Sequence, residues 1–260
     1  MKWCPRFFLV SLICLWSAVC GVAYAATFER ASYELAGNTD YEQARHIYTN
    51  YGILLEDEAG FLTTYAKEYS IDYLYYTLEL FSGDYLKGLS SAYRSIGKVL
   101  TICVLAAERQ SGSTTAMLGQ FDVDAAAIYL YFYDNGETGV HGVRPGVIGH
   151  ELGHVTYYAF IEVFNSIHGA FVEYNDGYAY AGDDWLSAWD TGLHSGTFAE
   201  PYSMKNYGED IATIFESLVC GAGSLWDDEA PLYYKAVLLR DTLNECLPDS
   251  RAGIFQRFES

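Results

Sequence analysis

Basic residues are scarce in this chain of 260 residues. Lysine and arginine together number 15, against 34 aspartates and glutamates, and the formal net charge is −19 at pH 7. Nucleic acids and anionic membranes are bound through clustered basic side chains, so this balance argues against both as partners and favours solubility. The densest acidic groups, Asp183-Asp184 and Asp227-Asp228-Glu229, are predicted to be solvated surface, with a Ca²⁺ site at one of them as the alternative.

Long apolar runs are missing, apart from one near the N-terminus. Two basic residues precede the apolar run over residues 7–18, and an A-x-A pattern ends at Ala25. This order is typical of a signal peptide, and the run is too short to span a bilayer. We therefore predict a signal peptide over residues 1–25 that is cleaved near Ala25. The mature chain, residues 26–260, is expected to be a single secreted domain, extracellular or periplasmic, with an uncleaved anchor as the alternative.

Cysteines are few, and none of them has C-x-x-C spacing, which argues against a cysteine-based zinc site. Beyond the signal peptide the chain has Cys103, Cys220 and Cys246, an odd number that rules out complete pairing within one chain. Cys220 and Cys246 could pair in an oxidising compartment. Cys103 lies in an apolar run, where a buried free thiol is the usual state. Cys20 could carry a lipid anchor, but the preceding valine disfavours that processing.

The hydrophobic pattern indicates the α+β class, with a small mixed sheet and a mostly helical remainder. We expect a helical N-terminal part over about residues 40–95, a central part over about 96–220 and a C-terminal helix over about 231–247. The segments predicted individually are helices over residues 58–69, 74–80, 83–93 and 209–218, strands over residues 98–106 and 127–133, and a loop layer or small helical insertion over residues 169–206.

The most informative motif is H-E-L-G-H, at residues 150–154. Pro145 predicts the start of a helix, and apolar residues then recur in one stripe at Ile148, Leu152, Val155 and Ala159. On such a helix His150 and His154 lie on one face, so both imidazoles can bind a single metal ion. Glu151 lies beside that face, where it can contact a water molecule.

A catalytic metal site needs a third protein ligand in addition to two histidines. Glu209 is favoured, because it begins a clear amphipathic helix that can hold its carboxylate rigidly. Glu173 is the second candidate, but the turn-like sequence that follows it speaks against a helical position. His141, His168 and His194 complete the candidates, and each is more often an ordinary surface or packing residue.

The segment Tyr202-x-x-x-Asn206-x-x-Glu209 resembles the corresponding motif of the anthrax lethal factor zinc-peptidase domain family, a gluzincin-type branch of the zincin metallopeptidases. The resemblance covers roughly residues 95–220 and implies a zincin-like fold with an active-site helix. It implies that Glu209 is the third zinc ligand. It also implies that Tyr202 faces the metal ion and stabilises the reacting carbonyl.

These observations predict a secreted zinc metalloendopeptidase that acts on protein or peptide substrates, with one Zn²⁺ per chain. His150, His154 and Glu209 are the expected metal ligands, and Glu151 is the expected general base. If the strand over residues 127–133 is at the edge of the sheet, it could hold an extended peptide. The alternative is a catalytically silent, zinc-binding interaction or toxin-associated protein of the same fold.

One position departs from the pattern. Gluzincins commonly have a carboxylate four residues after the ligand glutamate, where it supports a metal-binding histidine, and here that position is Thr213. Asp210 or Glu216 could take over this role, or the histidine could use a backbone carbonyl. Losing such a partner typically costs about 10–100-fold in metal affinity or activity.

Overall fold

A computed structural model describes residues 39–57, 71–106, 118–133, 140–141, 144–189, 196–221 and 227–248. This part of the chain is a mixed α/β structure with one small sheet and a mostly helical remainder. No helix in these ranges is both long and apolar enough to cross a membrane. The predicted signal peptide and the helix expected over residues 58–69 lie outside the described residues, so they stay predictions.

Eight α-helices and five strands occur in the described ranges. The helices are α1 (Thr39–Tyr51), α2 (Ile71–Glu79), α3 (Gly83–Ser95), α4 (Pro145–Ala159), α5 (Ile161–Glu173), α6 (Trp185–Trp189), α7 (Tyr207–Cys220) and α8 (Pro231–Cys246). The strands are β1 (Leu54–Asp57), β2 (Thr101–Ala106), β3 (Gly119–Asp122), β4 (Ala127–Tyr133) and β5 (Val140–His141). Two 3₁₀ turns, Gly182–Asp184 and Pro201–Met204, interrupt the segment between α5 and α7.

The sheet has the order β1-β2-β4-β3, and β5 also pairs with β4. The pairs β1–β2 and β2–β4 are parallel, whereas β3 and β5 run antiparallel to β4. Strand β4 is therefore internal, and the expectation that residues 127–133 could be an edge strand is wrong. In the described sheet the edge strand next to β4 is β3. Its sequence, GQFD, has no β-branched residue, which is why periodicity did not predict it.

Both faces of the central strands are covered. Ile128 and Leu130 of β4 belong to the main core between sheet and helices, while Tyr129 lies on the other face with Cys103 and Ala127. Successive side chains of β4 therefore alternate between the two faces of the sheet. Cys103 is buried and in no disulfide with another described cysteine, as expected, and its thiol donates to Oε2 of Glu56 at 3.4 Å. Cys220 and Cys246 are free as well, so the disulfide considered for them is not formed.

Helix α4 carries the H-E-L-G-H motif and packs closely against α7. The predicted stripe is confirmed, because Ile148, Leu152 and Val155 are completely buried. Gly153, inside the motif, permits the close approach, since a β-carbon at this position would lie only 2.7 Å from the Cα of Ala212 on α7. The backbones of the two helices therefore almost touch at this point.

A Gly153→Ala substitution tests this contact. Overpacking destabilises by about 1–3 kcal/mol, whereas the better helix propensity of alanine stabilises by up to about 1 kcal/mol. We therefore expect the free energy of unfolding in urea to fall by roughly 1–2 kcal/mol. Gly169→Ala on α5 is the matched control, because a β-carbon there meets nothing within 4 Å, and it should leave stability unchanged or slightly increased. Equal unfolding midpoints for the two variants would contradict the close contact.

Candidate metal centre

The two histidines of the motif lie side by side on α4. Pro145 occupies the first turn of this helix, following Arg144 in an extended conformation, so the helix begins where the sequence predicts. One helical turn separates His150 from His154, and their ring centroids are 4.9 Å apart. Both side chains are partly buried, with 12% and 17% of their surface exposed. The helix thus presents two imidazoles to one point.

Glu209 reaches the same point from the first turn of α7. Asn206 caps this helix, and its side-chain oxygen accepts a hydrogen bond from the backbone N–H of Glu209 at 3.0 Å. The Oε2 atom of Glu209 lies 3.2 Å from Nε2 of His150 and 3.1 Å from Nε2 of His154. The structure therefore brings together the three residues that the sequence analysis assigned as metal ligands.

This donor set fits a metal ion. One ligand atom from each of the three residues lies within 4.8 Å of the others, and no other such group of three was found among the described residues. A tetrahedral zinc centre with ligand bonds of about 2.0–2.1 Å separates neighbouring ligand atoms by roughly 3.3 Å, close to the observed 3.1 and 3.2 Å. Two imidazoles and one carboxylate are also a ligand combination that zinc commonly takes.

Glu216 supplies the support that Thr213 cannot. Its Oε2 atom lies 3.2 Å from Nδ1 of His150, so a proton on Nδ1 leaves the Nε2 lone pair for a metal ion. Glu216 is seven residues after Glu209, which is two helical turns further along the same face of α7. Thr213 instead donates to the backbone oxygen of Asp210 and shares a hydrogen bond with the hydroxyl of Ser203.

Charges at the centre are strongly coupled. Burial alone would lower the pKa of His150, but hydrogen bonds to Glu209 and Glu216 raise it to about 10. Burial lowers the pKa of His154. Burial would favour a neutral Glu209, but hydrogen bonds from both imidazoles hold its pKa well below the usual range. The carboxylates therefore favour a positive charge between the ligands, which a metal ion would supply.

Glu151, which lies between the two histidines in the motif, has a different environment. Only 4% of its surface is exposed, and within the described residues its Oε2 atom has no hydrogen-bond partner. Strand β3 passes close by, since a β-carbon on Gly119 would lie 2.6 Å from Oε1 of Glu151. Burial raises the pKa of Glu151 to about 7. A carboxyl group with this pKa can accept and release a proton near neutral pH.

Tyr202 lies on the 3₁₀ turn Pro201–Met204, with its ring centroid 6.0 Å from that of His150. Its hydroxyl oxygen accepts a hydrogen bond from Nζ of Lys205 at 2.8 Å, and the same ammonium donates to Oε1 of Glu209 at 3.2 Å. The sequence analysis missed Lys205. Its position within the Tyr-x-x-x-Asn segment was the available signal, but spacing alone does not show where a lysine points.

The other candidate ligands are elsewhere. Glu173 is the last residue of α5 and is exposed, so the expectation that it is not helical is wrong, although the turn-like residues 174–177 do form a turn after it. His168 is exposed and packs its ring against Tyr207, with centroids 4.6 Å apart. His194 and the side chain of His141 lie outside the described residues. The acidic groups considered for Ca²⁺ are exposed, and neither forms a three-residue ligand group in the described part of the chain.

Comparison with known proteins finds no match: no family model matches the chain, and no curated protein or solved structure is significantly similar to it. The metal centre therefore rests on its own geometry and chemistry.

The role of Glu216 can be measured directly. We expect Glu216→Gln to weaken metal binding by about 10–100-fold, because the neutral amide no longer holds a charge-assisted hydrogen bond with His150. Competition with a chromophoric zinc chelator gives the dissociation constant. Glu162→Gln on the exposed first turn of α5 is the matched control and should bind zinc like the wild type. Identical affinities for both variants would show that Glu216 does not support the ligand.

Proposed function

We propose that the protein is a secreted zinc endopeptidase with a zincin-like fold of gluzincin type. The observation that carries the proposal is the convergence of His150, His154 and Glu209 at one point. Glu151 and Tyr202, the two residues that peptide hydrolysis would require, flank the same point. A module that only stores a metal ion has no use for either residue.

The metal ion, when bound, supplies a Lewis acid that lowers the pKa of a coordinated water molecule and polarises the substrate carbonyl. The two carboxylate oxygens of Glu209 have different partners. Oε2 faces both imidazoles, and Oε1 accepts a hydrogen bond from Nζ of Lys205. His150, His154 and Oε2 of Glu209 would hold the metal ion, while Oε1 would keep its hydrogen bond from Lys205.

Glu151 is the general base of the proposed reaction. Its buried carboxylate takes a proton from the attacking water and passes it to the leaving amine, with the pKa of about 7 suiting both transfers. Oε2 is buried without a hydrogen-bond partner among the described residues, so a water molecule next to it would satisfy this oxygen.

Tyr202 stabilises the negative charge that develops on the carbonyl oxygen. An ammonium group can only donate, so the hydrogen bond from Lys205 occupies a lone pair of the Tyr202 oxygen and leaves its own proton to be donated. Burial raises the pKa of Tyr202, and the Lys205 ammonium opposes this shift. Lys205 thus positions Tyr202 for the reaction.

Substrate binding is assigned to β3 instead of β4. In the described sheet β3 pairs with β4 along one of its edges, and its other edge has no partner strand. Strand β3 also runs past Glu151. An extended peptide that pairs with this edge would bring its carbonyl groups next to the metal ligands. The chemistry of such pairing is that of the backbone, so the proposed substrate class is an extended peptide segment.

The alternative, a catalytically silent, zinc-binding interaction or toxin-associated protein of the same fold, is weakly favoured by Thr213 in place of a carboxylate. Because Oε2 of Glu216 lies 3.2 Å from Nδ1 of His150 and can support this histidine, Thr213 carries little weight against the peptidase.

Glu151→Gln tests the assigned base. The variant should keep the metal ion, because Glu151 is not a ligand, but lose peptide cleavage by at least about 10²-fold. Digestion of a peptide library by wild type and variant, together with metal analysis, gives both readings. His154→Ala is the comparison variant and should lose metal and cleavage together. Undiminished cleavage by Glu151→Gln would refute the assignment.

Tyr202→Phe tests the stabilising hydroxyl. We expect kcat to fall by about 10²–10³-fold with little change in KM, because the hydrogen bond forms mainly in the transition state. Tyr234→Phe, at an exposed position on α8, is the matched control. If Lys205 acts mainly through Tyr202, Lys205→Met should lower kcat much less in Tyr202→Phe than in the wild type, with the remaining loss due to its hydrogen bond to Glu209. Additive losses would contradict this coupling.

A further inference from the structure

A buried ion pair joins the first turn of α7 to α8. Nζ of Lys235 donates to Oδ2 of Asp210 at 2.7 Å, and both side chains are completely excluded from solvent. The hydroxyl of Tyr180 donates to the same oxygen at 3.0 Å. Asp210 directly follows Glu209 in the chain, so this pair is attached to the turn that carries the third metal ligand.

The ammonium group of Lys235 is confined by aromatic rings. Nζ lies 4.1 Å from the ring centroid of Phe198 and 5.3 Å from that of Phe171, so its position is defined by cation–π contacts as well as by the ion pair. The segment that carries Tyr180 is also fixed, because the backbone N–H of Ala181 donates to the carbonyl of Met204 at 2.8 Å. Asp210 is therefore held from two independent elements.

Stability alone gives a poor account of this arrangement. Removing two charges from water is costly, and buried ion pairs can often be replaced by neutral residues without loss of stability. Here the pairing is also incomplete, because Oδ1 of Asp210 has no hydrogen-bond partner within the described residues. The buried ion pair is costly in desolvation, but it fixes the direction in which Asp210 points. It is therefore suited to orienting the helix that carries Asp210.

We propose that Lys235 is a positioning residue for the metal centre: its ion pair with Asp210 fixes the rotation of the first turn of α7 and thereby directs Glu209 toward His150 and His154. Successive residues on a helix point about 100° apart, so holding Asp210 toward α8 determines the direction of Glu209. Among the described residues, the polar and cation–π contacts of Lys235 are with Asp210, Phe171 and Phe198, and none of these is a proposed metal ligand. It acts through the helix.

The test uses the full purified chain with Co²⁺, whose visible spectrum reports ligand geometry, and with Zn²⁺ in chelator competition. In the double variant Lys235→Met/Asp210→Asn the pair is neutral, so no unpaired buried charge remains. We expect it to fold, as judged by urea unfolding of the metal-free protein, but to bind both ions about 10–100-fold more weakly and with an altered Co²⁺ spectrum. Lys87→Met/Asp84→Asn neutralises an exposed pair on α3 and should match the wild type.

Wild-type affinity and spectrum in the double variant would overturn the inference. A double variant that fails to fold would also count against it, because the pair would then serve the fold itself instead of the placement of Glu209. The inference rests on the proposed metal centre, but different results would refute the role of Lys235 and the metal centre itself. A wild-type protein that binds neither ion would refute the centre, whereas a double variant that binds like the wild type would refute only the role of Lys235.

Discussion

The close packing of α4 against α7 is the constraint on which the candidate site depends. One helix contributes His150 and His154, the other contributes Glu209 and Glu216, and the ligand atoms converge only because the helix axes can approach so closely. The glycine within H-E-L-G-H serves this purpose. A motif usually discussed for its charged residues is thus also a packing motif, in which the smallest residue determines how far the third ligand lies from the first two.

Four carboxylates near this helix pair have four different environments. Glu209 is paired with two imidazoles, Glu216 accepts from one of them, and Asp210 is neutralised by a buried lysine. Glu151 has none of these partners, and its pKa is raised by burial. The same functional group is therefore suited to four different roles, as metal ligand, as support for a ligand, as structural anchor and as base, because each side chain has different surroundings.

The predictable parts were those governed by local periodicity. The span of β4, the buried stripe of α4 and the helix that begins near Glu209 follow from patterns a few residues long. Strands β1 and β3 were missed, because they are short and owe their conformation to pairing with β2 and β4. Lys205 and Lys235 were missed for a related reason: what a lysine contacts depends on neighbours that are distant in sequence, and a lone lysine carries no signal of burial.

The shared location of Glu209 and Glu216 on one helix has a consequence for how the centre can be lost. Ligand and support cannot be withdrawn one at a time by any movement of α7 as a rigid body, because both carboxylates leave or return together. Detachment of that helix would remove ligand and support together and leave only the two histidines of α4 at the site. Metal binding should therefore depend on whether this single helix is docked against α4.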